Sequence, residues 1–196
     1  YRHTGEAKTI KSNGVKMGLN TGFLRTSSVI FEEENSLSLL DDFYVEYMLN
    51  QKAGTWNTNN HKVTIGTNFE AFNNYNNKTI TLNLGSSNIY LLSYTSSFKA
   101  ISSYTKVNAG TSHIHFMTSA TGYSGMFATL GHIFYDVTFE GPLGVLSENA
   151  QFNRVEFKNN GNIGGNNTIK DLIFTAGKTY TLGQASTQTI TNLFSA

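Results

Sequence analysis

The 196-residue sequence contains no cysteine and a single proline, Pro142. Without cysteine there are no disulfides, no Cys-ligated zinc and no thiol nucleophile. An extracellular life would then rest on packing and strand pairing alone, which suits a bacterial exported protein better than a small disulfide-stapled domain. Charge is scarce as well. Asp, Glu, Lys and Arg make up 14% of the residues, against roughly 25% in ordinary soluble domains. The 14 Lys and Arg are scattered and nearly balanced by 13 Asp and Glu. No basic stripe exists to follow a phosphate backbone, which argues against nucleic acid as a partner. There is no run of about 18 apolar residues, hence no membrane-spanning helix. The chain starts at Tyr1 with neither an initiator Met nor a signal-peptide pattern, as expected of an internal piece or of a protein whose leader has been removed.

Asn, Thr, Ser and Gly replace the missing charge, together with 14 Phe and 10 Tyr. A chain rich in Thr, Phe and Tyr but poor in Glu, Lys and Ala favours strands over helices. Its aromatic content gives enough apolar surface to offset the ordering entropy of a folded chain. We expect one domain over residues 1–196, with residues 1–40 forming an N-terminal cap or irregular first coils. Ser36 to Leu40 reads as a short helix or a capping strand.

A repeat carries the fold assignment. Ile133-Phe134-Tyr135-Asp136-Val137-Thr138-Phe139, Gln151-Phe152-Asn153-Arg154-Val155-Glu156-Phe157 and Thr168-Ile169-Lys170-Asp171-Leu172-Ile173-Phe174 share one pattern. Each has an apolar residue, two mostly polar ones, an aliphatic residue, a variable residue and a Phe. The closing aromatics Phe139, Phe157 and Phe174 lie 18 and 17 residues apart, and Ile190 to Phe194 forms a weaker fourth copy. That period is too short for a propeller blade or helical repeat. It fits one coil of a single-stranded, right-handed parallel β-helix with coils of about 17–23 residues, stacked at about 4.8 Å. We expect roughly eight to ten coils over about 40–45 Å, with the Phe residues stacked inside as a ladder. Asn159-Asn160-Gly161-Asn162 and Gly164-Gly165-Asn166-Asn167 read as tight turns, because Gly and Asn tolerate positive φ. Ala53-Gly54, Ala109-Gly110 and Ala176-Gly177 read as one corner used three times.

Residues 109–196 resemble β-helical repeat segments of large exported, adhesin-like surface proteins of gliding and gut-type bacteria. The shared pieces are Ala109-Gly110-Thr111-Ser112-His113-Ile114, the block Phe134 to Phe139, Ala176-Gly177-Lys178-Thr179-Tyr180-Thr181-Leu182 and Thr187-Gln188-Thr189-Ile190-Thr191. Residues 53–71 look like a more diverged copy. The resemblance implies a cell-surface or secreted β-helical segment, often within longer chains that carry a C-terminal sorting domain. No such domain is visible here, and the resemblance brings no catalytic motif.

Few residues offer chemistry. His113 and His115, two apart, point to one side of a strand as a metal pair does, with His132 or Asp136 as further ligands one coil away; zinc needs at least a third. Against this stands the reading of both as surface histidines on a Thr-rich strand. Asp136 and Asp171 recur once per coil, and Asn153 lies one residue from their register, which marks turn or ladder formers rather than an acid–base pair. Glu32-Glu33-Glu34 and Asp41-Asp42 read as solvated acidic loops, although β-helices also use carboxylates in polysaccharide lyases and hydrolases. Trp56, the only tryptophan, either fills the core or, with His61 and Tyr75 nearby, stacks on a sugar ring. The sequons at Asn77 and Asn166 mark surface turns.

The expectation is a non-enzymatic, exported cell-surface segment without a cofactor. Its partners would be an extracellular protein or glycan, and a continuation of its own chain or a stacking subunit on the C-terminal coil. The alternative is a carbohydrate-binding or polysaccharide-degrading module on the same scaffold; a third reading is an assembly unit whose end coils stack on other subunits.

Overall fold

The computed structural model describes residues 7–17, 28–32, 34–71, 78–93, 96–117, 124–147 and 149–196. Every regular element among them is a strand, and no helix is present. The strands form three parallel sheets that wind as a β-solenoid of about seven turns. Sheet A stacks β1 (Lys8–Ile10), β4 (Ser36–Leu39), β7 (Gly54–Asn57), β10 (Ile80–Asn83) and β13 (Thr105–Asn108). Sheet B stacks β2 (Lys16–Met17), β5 (Phe43–Val45), β8 (Val63–Ile65), β11 (Asn88–Leu91), β14 (His113–Phe116), β16 (Ile133–Phe139), β18 (Gln151–Phe157), β20 (Asn167–Phe174) and β22 (Gln188–Ser195). Sheet C holds β3 (Ser28–Phe31), β6 (Met48–Gln51), β9 (Asn68–Ala71), β12 (Ser97–Ala100), β15 (Ser124–Thr129), β17 (Leu143–Ser147), β19 (Asn160–Ile163) and β21 (Tyr180–Leu182). Ser36 to Leu39 is therefore a strand, and β1 to β4 already belong to the common stack.

Most of the first coils are longer than the repeat suggests. Lys8 pairs with Leu37, Trp56 with Leu82 and Leu82 with Val107, steps of 29, 26 and 25 residues. Val137 pairs with Val155 and Val155 with Leu172, steps of 18 and 17. At about 4.8 Å per turn the stack is on the order of 35 Å long.

Alternation along each strand turns one set of side chains inward. In sheet B one inward column runs Val45, Ile65, Leu91, Phe116, Phe139, Phe157 and Phe174. Phe116 stacks on Phe139 at 4.8 Å between ring centres, and Phe139 on Phe157 at 4.6 Å. Phe174 tilts by 54° at 5.7 Å. Sheet C supplies a second column of Leu49, Phe69, Phe98, Phe127, Leu146 and Ile163, all buried. Each such ring contributes on the order of 1.5–3 kcal/mol by leaving water.

The repeat motif is a bend. In β16, Phe134 and Val137 face the core while Tyr135 and Asp136 both face out. The same happens at Asn153-Arg154 in β18 and Lys170-Asp171 in β20, and Tyr135, Asn153 and Lys170 drop out of the pairing register. Two consecutive outward residues let one strand turn the corner between two faces. In the earlier coils that corner is a separate four-residue turn, Leu84–Ser87 or Ala109–Ser112, closed by a backbone hydrogen bond of 3.0 or 3.1 Å. These turns stack closely. Thr111 N–H donates to the Gly85 carbonyl at 2.8 Å, and a Cβ on Gly110 (φ +59°) would lie 2.3 Å from that oxygen.

Two sequence readings change here. Gly161 is in a strand, not a turn; a Cβ there would lie 2.5 Å from the Phe157 ring, as one on Gly144 would from Phe139. Both glycines make room for the aromatic ladder. The three Ala-Gly pairs share a positive φ at the glycine but occupy three different corners: at the start of β7, between β13 and β14, and between β20 and β21.

Phe157→Ala should lower the unfolding free energy by about 3–5 kcal/mol in urea denaturation, and a loss below about 1 kcal/mol would contradict the stacked core. Gly161→Ala should cost about 1–3 kcal/mol through overpacking, and distinctly less in a Phe157→Leu background, where the ring it strikes is gone.

Candidate functional site

The outer face of sheet B collects most of the candidate residues. Asn88, His113, Asp136, Arg154 and Asp171 form one outward column, and Tyr90, His115, Thr138 and Glu156 the next. His113 and His115 therefore share a side, with ring centres 3.8 Å apart, and His115 stacks on Tyr90 at 4.7 Å. Asp136 lies one coil above His113, as anticipated; His132 does not join them. It sits before β16, edge-on to Phe134 and hydrogen-bonded to the Ala100 backbone.

The histidines are already engaged. His113 Nε2 shares a 2.8 Å hydrogen bond with Thr138 Oγ1. His115 Nδ1 is 3.6 Å from Glu140 Oε1, and the other oxygen of Glu140 binds Lys158 Nζ at 2.9 Å. Burial pushes His113 down to about 4, with His115 beside it acting in the same direction, and burial also lowers His115. Burial thus favours the neutral form of both rings. Asp136 accepts a hydrogen bond from Asn153 Nδ2 at 2.9 Å, Asp171 accepts one from Asn192 Nδ2 at 2.6 Å, and Arg154 binds Glu156 at 2.9 Å. The recurring aspartates thus tie each coil to the next. Among the described residues no group of three or more His, Cys, Asp or Glu is placed to hold a metal ion.

The other candidates are dispersed. Trp56 is fully buried and stacks on Phe69 at 5.6 Å, so its ring is closed to a ligand. His61 lies in the turn after β7 with Nδ1 3.9 Å from Asp42, and Tyr75 and Asn77 fall outside the described residues. Asn166 is on a surface turn, where its Oδ1 accepts from Thr187 N–H at 2.8 Å. The acidic segments brace neighbouring coils. Asp41 accepts from the backbone of Ser12 and Asn13 at 2.7 Å each, and the Ser12 N–H holds its carboxyl below the usual range. Asp42 accepts from Lys62 N–H at 2.9 Å, Glu34 meets Lys78 at 3.1 Å and Glu32 pairs with Lys52.

One recess escaped the sequence reading. Sheet A ends at β13, and above it the narrower coils leave a ledge formed by Val107, Ala109 and Gly110. Its wall carries the outward column Ile133–Gln151–Thr168 and the bend residues Tyr135, Asn153 and Lys170, with Thr191 beyond them. The recess measures about 330 Å³. Ile133 is 60% exposed and Tyr135 37%. Tyr104 and Asn108 carbonyls accept from Ile80 and Leu84, so by strand alternation the N–H and C=O of Val107 face the open edge. The recess joins residues more than 80 positions apart at a change of coil width, and only the exposed aromatic of the repeat, Tyr135, hinted at it.

No protein-family model, curated protein or solved structure matches this chain.

Acid should weaken the fold through His113. It titrates near 6.5 when unfolded and at about 4 when folded, so between those values the unfolded chain binds more protons and stability falls as pH drops. The contribution is complete above about pH 6.5. Thermal unfolding should show a lower Tm at pH 4.5 than at pH 7.5, with a shallower decline in His113→Asn; an equally steep decline in that variant would assign the effect to other groups.

Proposed function

We propose that this chain is a non-catalytic structural segment of an exported, adhesin-like cell-surface protein, a stiff solenoid that presents its faces to neighbouring proteins or glycans. The observation that supports this best is the way polar side chains are used. Outward Asn, Asp, Glu, Lys and Arg groups mostly bind one another from coil to coil. Asn83 donates to Asn57 at 2.6 Å and Asn108 to Asn83 at 2.7 Å, parallel to the Asp136–Asn153 and Asp171–Asn192 pairs. An arrangement of this kind reinforces the long axis, and even the titratable groups gathered on the outer face of sheet B are paired with one another, as Glu140 is with His115 and Lys158 and Arg154 is with Glu156. The bacterial surface setting is supported by the resemblance of residues 109–196 to exported repeat segments. The last coil, where Leu182 and Phe194 are each 60% exposed, would meet a further stretch of its own chain or a stacking subunit.

Antibodies raised against the domain should label intact cells that produce the parent protein, and deleting the domain should reduce their attachment to surfaces. Labelling that requires permeabilised cells would overturn the surface assignment.

A further inference from the structure

We infer that the ledge at the end of sheet A is a binding site for a neutral oligosaccharide. The chemistry of its lining carries the inference. Ile133 and Tyr135 offer exposed apolar surface of the kind that the CH faces of a pyranose ring require. Around them stand the amides and hydroxyls of Gln151, Thr168 and Thr191, none of which has a side-chain partner among the described residues. On other faces the outward amides of Asn57, Asn83 and Asn192 are committed to neighbouring coils, and within the recess Asn153 is held by Asp136. Val107 adds a free backbone donor and acceptor on the floor. No carboxylate lines the recess, and Lys170 is its one cation.

That combination selects against the other ligand classes. An acidic polysaccharide or a phosphate ester needs several cations, and the lining has one. A purely apolar ligand would bury the unpaired Gln and Thr groups at a cost of roughly 1–3 kcal/mol each. The volume of about 330 Å³ stands at the small end of small-molecule sites, which suits a few sugar residues and not a folded partner. Ile133, Gln151 and Thr168 follow one another along the solenoid axis at strand spacing, so a linear saccharide lying along the axis would meet one of them on each of three successive coils.

The site is independent of where the parent protein resides, so its test is separate from the surface-labelling test. The intact domain is titrated with short neutral gluco-, manno- and galacto-oligosaccharides and followed by amide NMR and calorimetry. At least one series should bind saturably and shift the amides of Val107, Ile133, Tyr135, Gln151 and Thr168. Tyr135→Ala and Gln151→Ala, both at outward positions and checked for unchanged circular dichroism, should each weaken binding by about tenfold or more, equivalent to about 1.4 kcal/mol. Thr81→Ala, on the outer face of β10, should leave it unchanged. The inference fails if no series binds, if binding survives both ledge variants, or if only acidic saccharides bind and salt abolishes the interaction.

Discussion

Parallel pairing in register places each residue of a coil directly beneath its counterpart in the next, about 4.8 Å away, so neighbours in a column must tolerate one another's shape and charge. Inside, this yields columns of like with like: aliphatic residues from Val45 to Leu91, then aromatic ones from Phe116 to Phe174. Flat rings can repeat at that distance by stacking, and the 4.6–4.8 Å separations of Phe116, Phe139 and Phe157 are those of the strands themselves. Outside, the same constraint turns amides into chains of donors and acceptors and sets Asn against Asp. At the turns it forbids a Cβ at Gly110.

The solenoid changes width partway up. Below, three strands and a four-residue turn make a broad coil; above, one long strand bends through two outward residues and does the work of two sides. The long strand needs a large residue on each side of its bend to keep the narrower interior filled, and Phe134 with Phe139, like Phe152 with Phe157, meets that need. The rings then demand space from sheet C, which Gly144 and Gly161 give. Bend, aromatic ladder and strand glycines are one solution to the loss of a side.

This explains what was legible in the sequence. The bend fixes the number of residues in each narrow coil, so Phe139, Phe157 and Phe174 recur almost evenly and announce a solenoid. The broad coils vary in their corners, from the 29-residue step at Lys8–Leu37 to the 19-residue step at Leu37–Trp56, and the period dissolves although the pairing does not. Two histidines on one strand face could be read from their spacing; that Thr138 and Glu140 engage them could not, since those residues come from the next coil. Trp56 could not be placed inside or out from its neighbours Thr55 and Asn57. The ledge was hidden for a further reason: it belongs to no motif, only to the mismatch between two coil widths.

Because corners absorb the difference, the gain in height per turn is the same whether a turn takes 26 residues, as from Trp56 to Leu82, or 18, as from Val137 to Val155. Small insertions and deletions at corners therefore alter girth, whereas only duplication or loss of a whole turn alters reach. The two kinds of genetic change act on separate properties of the object. A lineage of such proteins can remodel the outline of its flanks while the distance it spans stays fixed, or lengthen without redesigning any face.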